Sequence, residues 1–87
     1  MVYDEEKAVK KFHRLCEIVC GIKNDSGNIP YARTYAHGGL LMGSTWGIDL
    51  QCGYLLSNLD AWKGAEAHET KNEIRKLWKQ NAKHLRP

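Results

Sequence analysis

Near the start of the sequence lie three side chains able to bind a metal or act as nucleophiles. His13, Cys16 and Cys20 are spaced i, i+3, i+7, which on a helix stacks an imidazole and two thiols along one edge. With Cys52 or His37 arriving from elsewhere, four soft ligands would suit zinc. The paired Cys and His units of structural zinc sites are absent, however, and cysteine on an apolar helical edge serves as a small core residue. No metal and no cofactor is expected. Ser57, Asp60, His68, Cys52 and His37 provide nucleophiles, acids and bases, yet no motif sets a base beside a nucleophile. A chain this short also offers little volume for a substrate cleft. No enzymatic activity is expected.

Two other groupings point to binding. Arg75, Lys76, Lys79 and Lys83 fall on the outer side of a C-terminal helix, where they could contact a partner protein or run along a phosphate backbone. The bland alternative is a solvated face that complements the helix dipole, with Glu69 and Glu73 within pairing reach. Trp78 is expected to point inward, so no aromatic would be interleaved with these charges for base stacking. The second grouping is a narrow polar sector of Asp49, Gly53, Ser57 and Asp60 flanked by Tyr54. It could dock a partner carrying Lys or Arg, with Tyr31 and Tyr35 as aromatic anchors unless they pack against Leu40–Met42. Gly38-Gly39 followed by Gly43-Ser44-Thr45 lacks the spacing of a phosphate-cradling loop and reads as close helix approach plus a cap.

The elements that must position these residues are helical. Ala8, Val9, Phe12, Leu15, Cys16, Val19 and Ile22 follow the i, i+3, i+4, i+7 rule, predicting an amphipathic helix from Asp4 to about Ile22, its acidic start favoured by the helix dipole. Asn24–Asn28 is a run of turn formers. Pro30 then suits the first turn of a short helix over 30–37, which Gly38-Gly39 should weaken at about 1 kcal/mol per glycine. A third helix is predicted over about 46–63, capped by Ser44 or Thr45. Ile48, Cys52, Leu55, Leu59 and Trp62 share one of its faces, while Leu50, Tyr54 and Ala61 form a second apolar stripe. A helix apolar on two sides is expected to be sandwiched as the central element. Gly64 should close it in a left-handed conformation. The last helix would bury Ala67, Thr70, Ile74, Leu77, Trp78 and Leu85, with His68, Arg75, Lys76, Lys79, Lys83 and Arg86 outside. The expectation is an all-α compact bundle of three main helices plus one short one, a single domain over 1–87.

Composition sets the class. Eighty-seven residues with 43% hydrophobic and 26% charged content leave room for one core and argue against disorder. The net charge of +3 is uneven: residues 24–62 carry one basic group against three acidic ones, residues 63–87 seven against three. Such a basic tail attracts phosphates or acidic surfaces. Three cysteines, an odd count, argue for reduced thiols. An acidic first segment unlike a signal peptide, and the lack of any apolar run of about 18 residues, make a cytoplasmic protein with no membrane partner the expectation.

The stretch Tyr31-Ala-Arg-Thr-Tyr35-Ala, then Gly39-Leu40 and Met42, then Gln51-Cys-Gly-Tyr54-Leu-Leu-Ser57-Asn58-Leu59-Asp-Ala-Trp62-Lys-Gly64 resembles short helical proteins encoded in bacteriophages and prophages. That resemblance covers the middle and last thirds of the chain and implies a phage accessory protein. Small phage proteins often bind and block a host machine, CRISPR–Cas effectors among them. The expected function is thus a non-enzymatic interaction protein inhibiting a host or defence complex in the manner of an anti-CRISPR. The alternatives are a nucleic-acid-binding protein using the last helix, or a structural homodimer meeting through Leu50, Tyr54 and Ala61.

Overall fold

The computed structural model describes residues 3–85, with side chains described through Lys83. It contains four helices, α1 (Glu5–Cys20), α2 (Ile29–Leu40), α3 (Ile48–Ser57) and α4 (Ala65–Leu85), and no strand among the described residues. Asp4 caps α1 by accepting from the Lys7 amide at 3.0 Å, and the Gly21 amide closes its last turn on the Glu17 carbonyl at 3.1 Å. The apolar stripe read from the sequence is its buried face: Ala8, Phe12, Leu15, Cys16 and Val19.

The second helix is longer than the glycine pair suggests. It runs through Gly38-Gly39 to Leu40 because Gly39 is buried against α1. A Cβ there would lie 2.6 Å from Cys16 Sγ and 2.9 Å from Phe12 Cζ. Only a glycine lets the two backbones come this close, and the contact outweighs the weak helix propensity.

The third helix is shorter than its apolar pattern suggests. Gly47, at φ +85°, turns the chain into Ile48, two residues later than expected. At the other end Ser57 Oγ donates to the Gly53 carbonyl and Asn58 Nδ2 to the Tyr54 carbonyl, both at 2.8 Å. Asn58 thereby satisfies one of the terminal carbonyls that the end of the helix leaves open. Leu59 is nevertheless fully buried from the turn that follows, so the periodicity continues where the helix does not. Gly64 has the left-handed φ expected, +111°, but it sits just ahead of α4 rather than at the end of α3.

No helix is central. α1 packs on α2 and α4, and α3 packs on the same two, so the four form a ring around one core. Phe12, Val19, Leu55, Leu59, Ile74 and Leu77 fill it together with the thiols of Cys16 and Cys52. Asn81 of α4 is fully buried, donating to the Leu77 carbonyl at 2.9 Å and accepting from the Tyr3 hydroxyl. The expected second burial of α3 is overturned: Leu50 and Tyr54 face solvent, and Ala61 lies beyond the helix. Trp78 is likewise partly exposed rather than inward. The side chains of Leu85 and Arg86 lie outside those described. Among the described residues no helix is long and apolar enough to cross a membrane.

Candidate binding surfaces

The ring leaves an apolar surface uncovered across α2, α3 and α4. On α2, Tyr31 and Tyr35 sit one turn apart. The Tyr35 ring stacks on Tyr54 of α3, with centroids 5.0 Å apart and planes 20° from parallel. Gln51 of α3 fixes that seam by donating to the Tyr35 carbonyl at 2.7 Å. Tyr54 in turn shares an open hollow of about 470 Å³ with Leu50, Gly53 and Ser57 of α3 and Trp78 of α4. One aromatic face therefore crosses three helices. Its members are 64% (Tyr31), 36% (Tyr35), 53% (Leu50), 47% (Tyr54) and 41% (Trp78) exposed.

The acidic sector expected beside it is not there. Asp49 is buried in the first turn of α3, where a carboxylate answers the partial positive charge of the helix start. Asp60 is exposed, but on the turn after α3. The surface offered by Tyr31, Tyr35 and Tyr54 is thus aromatic rather than acidic. The residues ahead of α3 also form no phosphate cradle: an acidic residue, Asp49, stands in the first turn of the helix, and Thr45 Oγ donates to Glu5 Oε1 at 3.1 Å.

Around α4, at about 100° per residue, Trp78 borders Arg75, then Lys79 and Lys83, then Lys76, with Glu73 at the far edge. All four cations are exposed. The nearby carboxylates are drawn the other way: Glu66, Glu69 and Glu73 line a cleft toward Lys7, Lys10, Lys11 and Arg14 of α1. There Glu73 pairs with Lys11 at 2.7 Å, and at 3.5 Å with Lys76. Both lysines hold its carboxyl below the usual carboxylate range, the Lys11 hydrogen bond most of all. Arg75 donates to Asn72 Oδ1 at 2.9 Å, and Lys79 and Lys83 have no ion pair among the described residues.

The thiols and imidazoles do not converge. Burial, and secondarily the neighbouring thiols, pushes Cys16 and Cys52 up to about 12, and burial raises Cys20 as well. All three are free cysteines. His13 Nε2 donates to the Met42 carbonyl at 2.6 Å, pinning the loop between α2 and α3. Among the described residues no group of three or more His, Cys, Asp or Glu could hold a metal ion. Ser57 is committed to Gly53, and His68 Nε2 lies 3.3 Å from Asn72 Nδ2. The sequence reading also missed Leu41 and Trp46, both largely exposed on the pinned loop. Their position after Gly39 and Gly43-Ser44-Thr45, outside any 3.6-residue period, was the available signal.

No family model, curated protein or solved structure matches this chain.

Proposed function

We propose that this chain is a non-enzymatic interaction protein that blocks a functional surface of a larger complex with the cationic ridge of α4. One observation carries the reading. Arg75, Lys76, Lys79 and Lys83 are exposed together, while the carboxylates of the same helix line the cleft toward α1 and only Lys76 of the four pairs with one of them, Glu73, among the described residues. The ridge keeps its positive potential, which steers and orients an acidic partner surface. The resemblance to phage and prophage proteins suggests which complex: a host or defence machine such as a CRISPR–Cas effector, with the protein as its inhibitor.

A nucleic-acid ligand is the second reading, and the exposure of Trp78 favours it. An aromatic beside Arg75 and Lys79 is the pairing that single strands use, bases stacking on the ring and phosphates meeting the cations.

The test is a pull-down from bacterial lysate, with and without nuclease, using the native chain and the triple variant Lys76→Glu, Lys79→Glu, Lys83→Glu. A protein retained by the native bait after nuclease, and lost with the variant, supports the leading reading. Recovery that disappears with nuclease transfers the ridge to nucleic acid. Equal recovery by both baits removes the ridge from the function.

A further inference from the structure

We infer that the aromatic face across α2, α3 and α4 is the two-fold interface of a homodimer, a surface separate from the cationic ridge. The first argument is area. With side-chain areas of about 150–250 Å² for aromatics, the exposed fractions of Tyr31, Tyr35, Leu50, Tyr54 and Trp78 leave roughly 500 Å² of apolar surface on each copy. A standard interface takes about 800 Å² per partner, and homodimer interfaces are about 65% apolar, above the share of other contacts. These five residues alone supply that share. None of them is charged, and the carboxylate lining the hollow, Asp49, is itself buried.

The second argument is shape. A two-fold interface is made by one patch meeting itself, so that patch must supply both a projection and a recess. This face has them in order. Tyr31, its most exposed member, projects at the α2 end, the stacked Tyr35–Tyr54 pair lies in the middle, and the hollow of about 470 Å³ opens between α3 and α4. A two-fold axis through the stacked pair sets Tyr31 of each copy over the hollow of the other. The floor of that hollow includes Gly53, where an added Cβ would meet nothing within 4 Å. Nothing inside one copy requires a glycine in the middle of α3, whereas a close-fitting second copy does. Arg75 and Lys79 then fall at the rim, and the ridges of both copies flank the interface. Burying Trp78 also takes its ring away from any base, leaving the cations to a ligand.

The closing experiment is light scattering on the full chain over a dilution series, at low salt and at about 0.5 M NaCl, where charge repulsion at the rim is screened. The expected mass at high concentration is twice 9.9 kDa, with association at least as strong in high salt. Gly53→Gln puts a side chain into the hollow from a position where an added Cβ meets nothing within 4 Å, and Leu50→Glu puts a charge on the face. Each should weaken association by tenfold or more while circular dichroism keeps the native helicity. A mass of 9.9 kDa at every concentration, or a dimer indifferent to both substitutions, overturns the inference. Failure of the dimer leaves the leading reading of the cationic ridge standing, since the pull-down compares charge reversal at Lys76, Lys79 and Lys83 and substitutes none of the five residues of the face.

Discussion

Gly38 and Gly39 are neighbours of identical chemistry, yet substituting each by alanine should move stability in opposite directions. At Gly39 the new methyl would sit 2.6 Å from Cys16 Sγ and 2.9 and 3.0 Å from two atoms of the Phe12 ring, well inside the 3.4–4 Å of ordinary contact. Neither neighbour is the loose end of a flexible chain, so α1 and α2 must separate. Overpacking of this kind costs about 3 kcal/mol, near the upper end of its usual range. Alanine returns about 1 kcal/mol of helix propensity, leaving a net loss of about 2 kcal/mol. At Gly38 the methyl would meet only Gln51 Nε2, at 3.5 Å, and the same propensity becomes a gain of about 1 kcal/mol. At about 4–8 °C per kcal/mol for a domain of this size, the two variants should differ by well over ten degrees in Tm. Thermal and urea unfolding followed by circular dichroism read this directly. Cys16→Ala in the Gly39→Ala background removes the nearest clash but not the ring, and should recover about 1 kcal/mol by a double-mutant cycle. A Gly39→Ala variant as stable as Gly38→Ala would refute the close approach itself.

Thiol reactivity should divide the cysteines. In native protein at mildly alkaline pH, Cys20 is alkylated first, while Cys16 and Cys52, buried and held at about 12, react only at the rate of global opening; simultaneous labelling of all three would contradict this. The carboxyl of Glu73 has a folded pKa below its unfolded one, so the stability it contributes is present above the usual carboxylate range and is lost as pH falls through the folded value. Lys11→Gln should raise the Glu73 midpoint in an NMR titration and flatten the acid limb of the stability curve. An unmoved midpoint would mean that Lys11 is not the partner that matters.

Much of this fold is written in local patterns. Phe12, Leu15, Cys16 and Val19 repeat at helical spacing and are the residues α1 buries, and Pro30 opens α2 as its fixed φ allows. The pattern failed where a tertiary contact decided the outcome, or where a helix stopped before its apolar period did. Gly39 belongs to a helix because of Cys16 and Phe12, residues 23 and 27 positions away in sequence. Leu59 kept the apolar period after α3 had ended at Ser57. The cationic residues of α4 were legible because four charges at helical spacing share a side in any helix. The aromatic face was only half legible: Leu50 and Tyr54 showed as a second stripe, but periodicity marks a side chain as apolar without saying whether anything covers it. Trp78 lies at the edge of the buried arc of α4, where burial and exposure differ by a small rotation of the helix.

The hydrogen bond from Tyr3 to Asn81 joins positions 78 residues apart and has a topological meaning. The segment before α1 and the late turns of α4 meet, so the ring of helices is a closed circuit with a nick in it. A short linker would span the nick, and a cut elsewhere would yield the same bundle read in a different order. The turn of residues 23–28 is exposed along its whole length and offers a place to cut, at the expense of the bonds by which Arg33 of α2 holds it, to the Ile22 and Asn24 carbonyls and to Asp25. The α2–α3 loop is pinned by His13 and Glu5, and the stretch after α3 buries Leu59. Reordered as α2–α3–α4–α1, the chain would keep each of its four helix seams. The order in which these helices are strung is a property of the chain, not a requirement of the structure it forms.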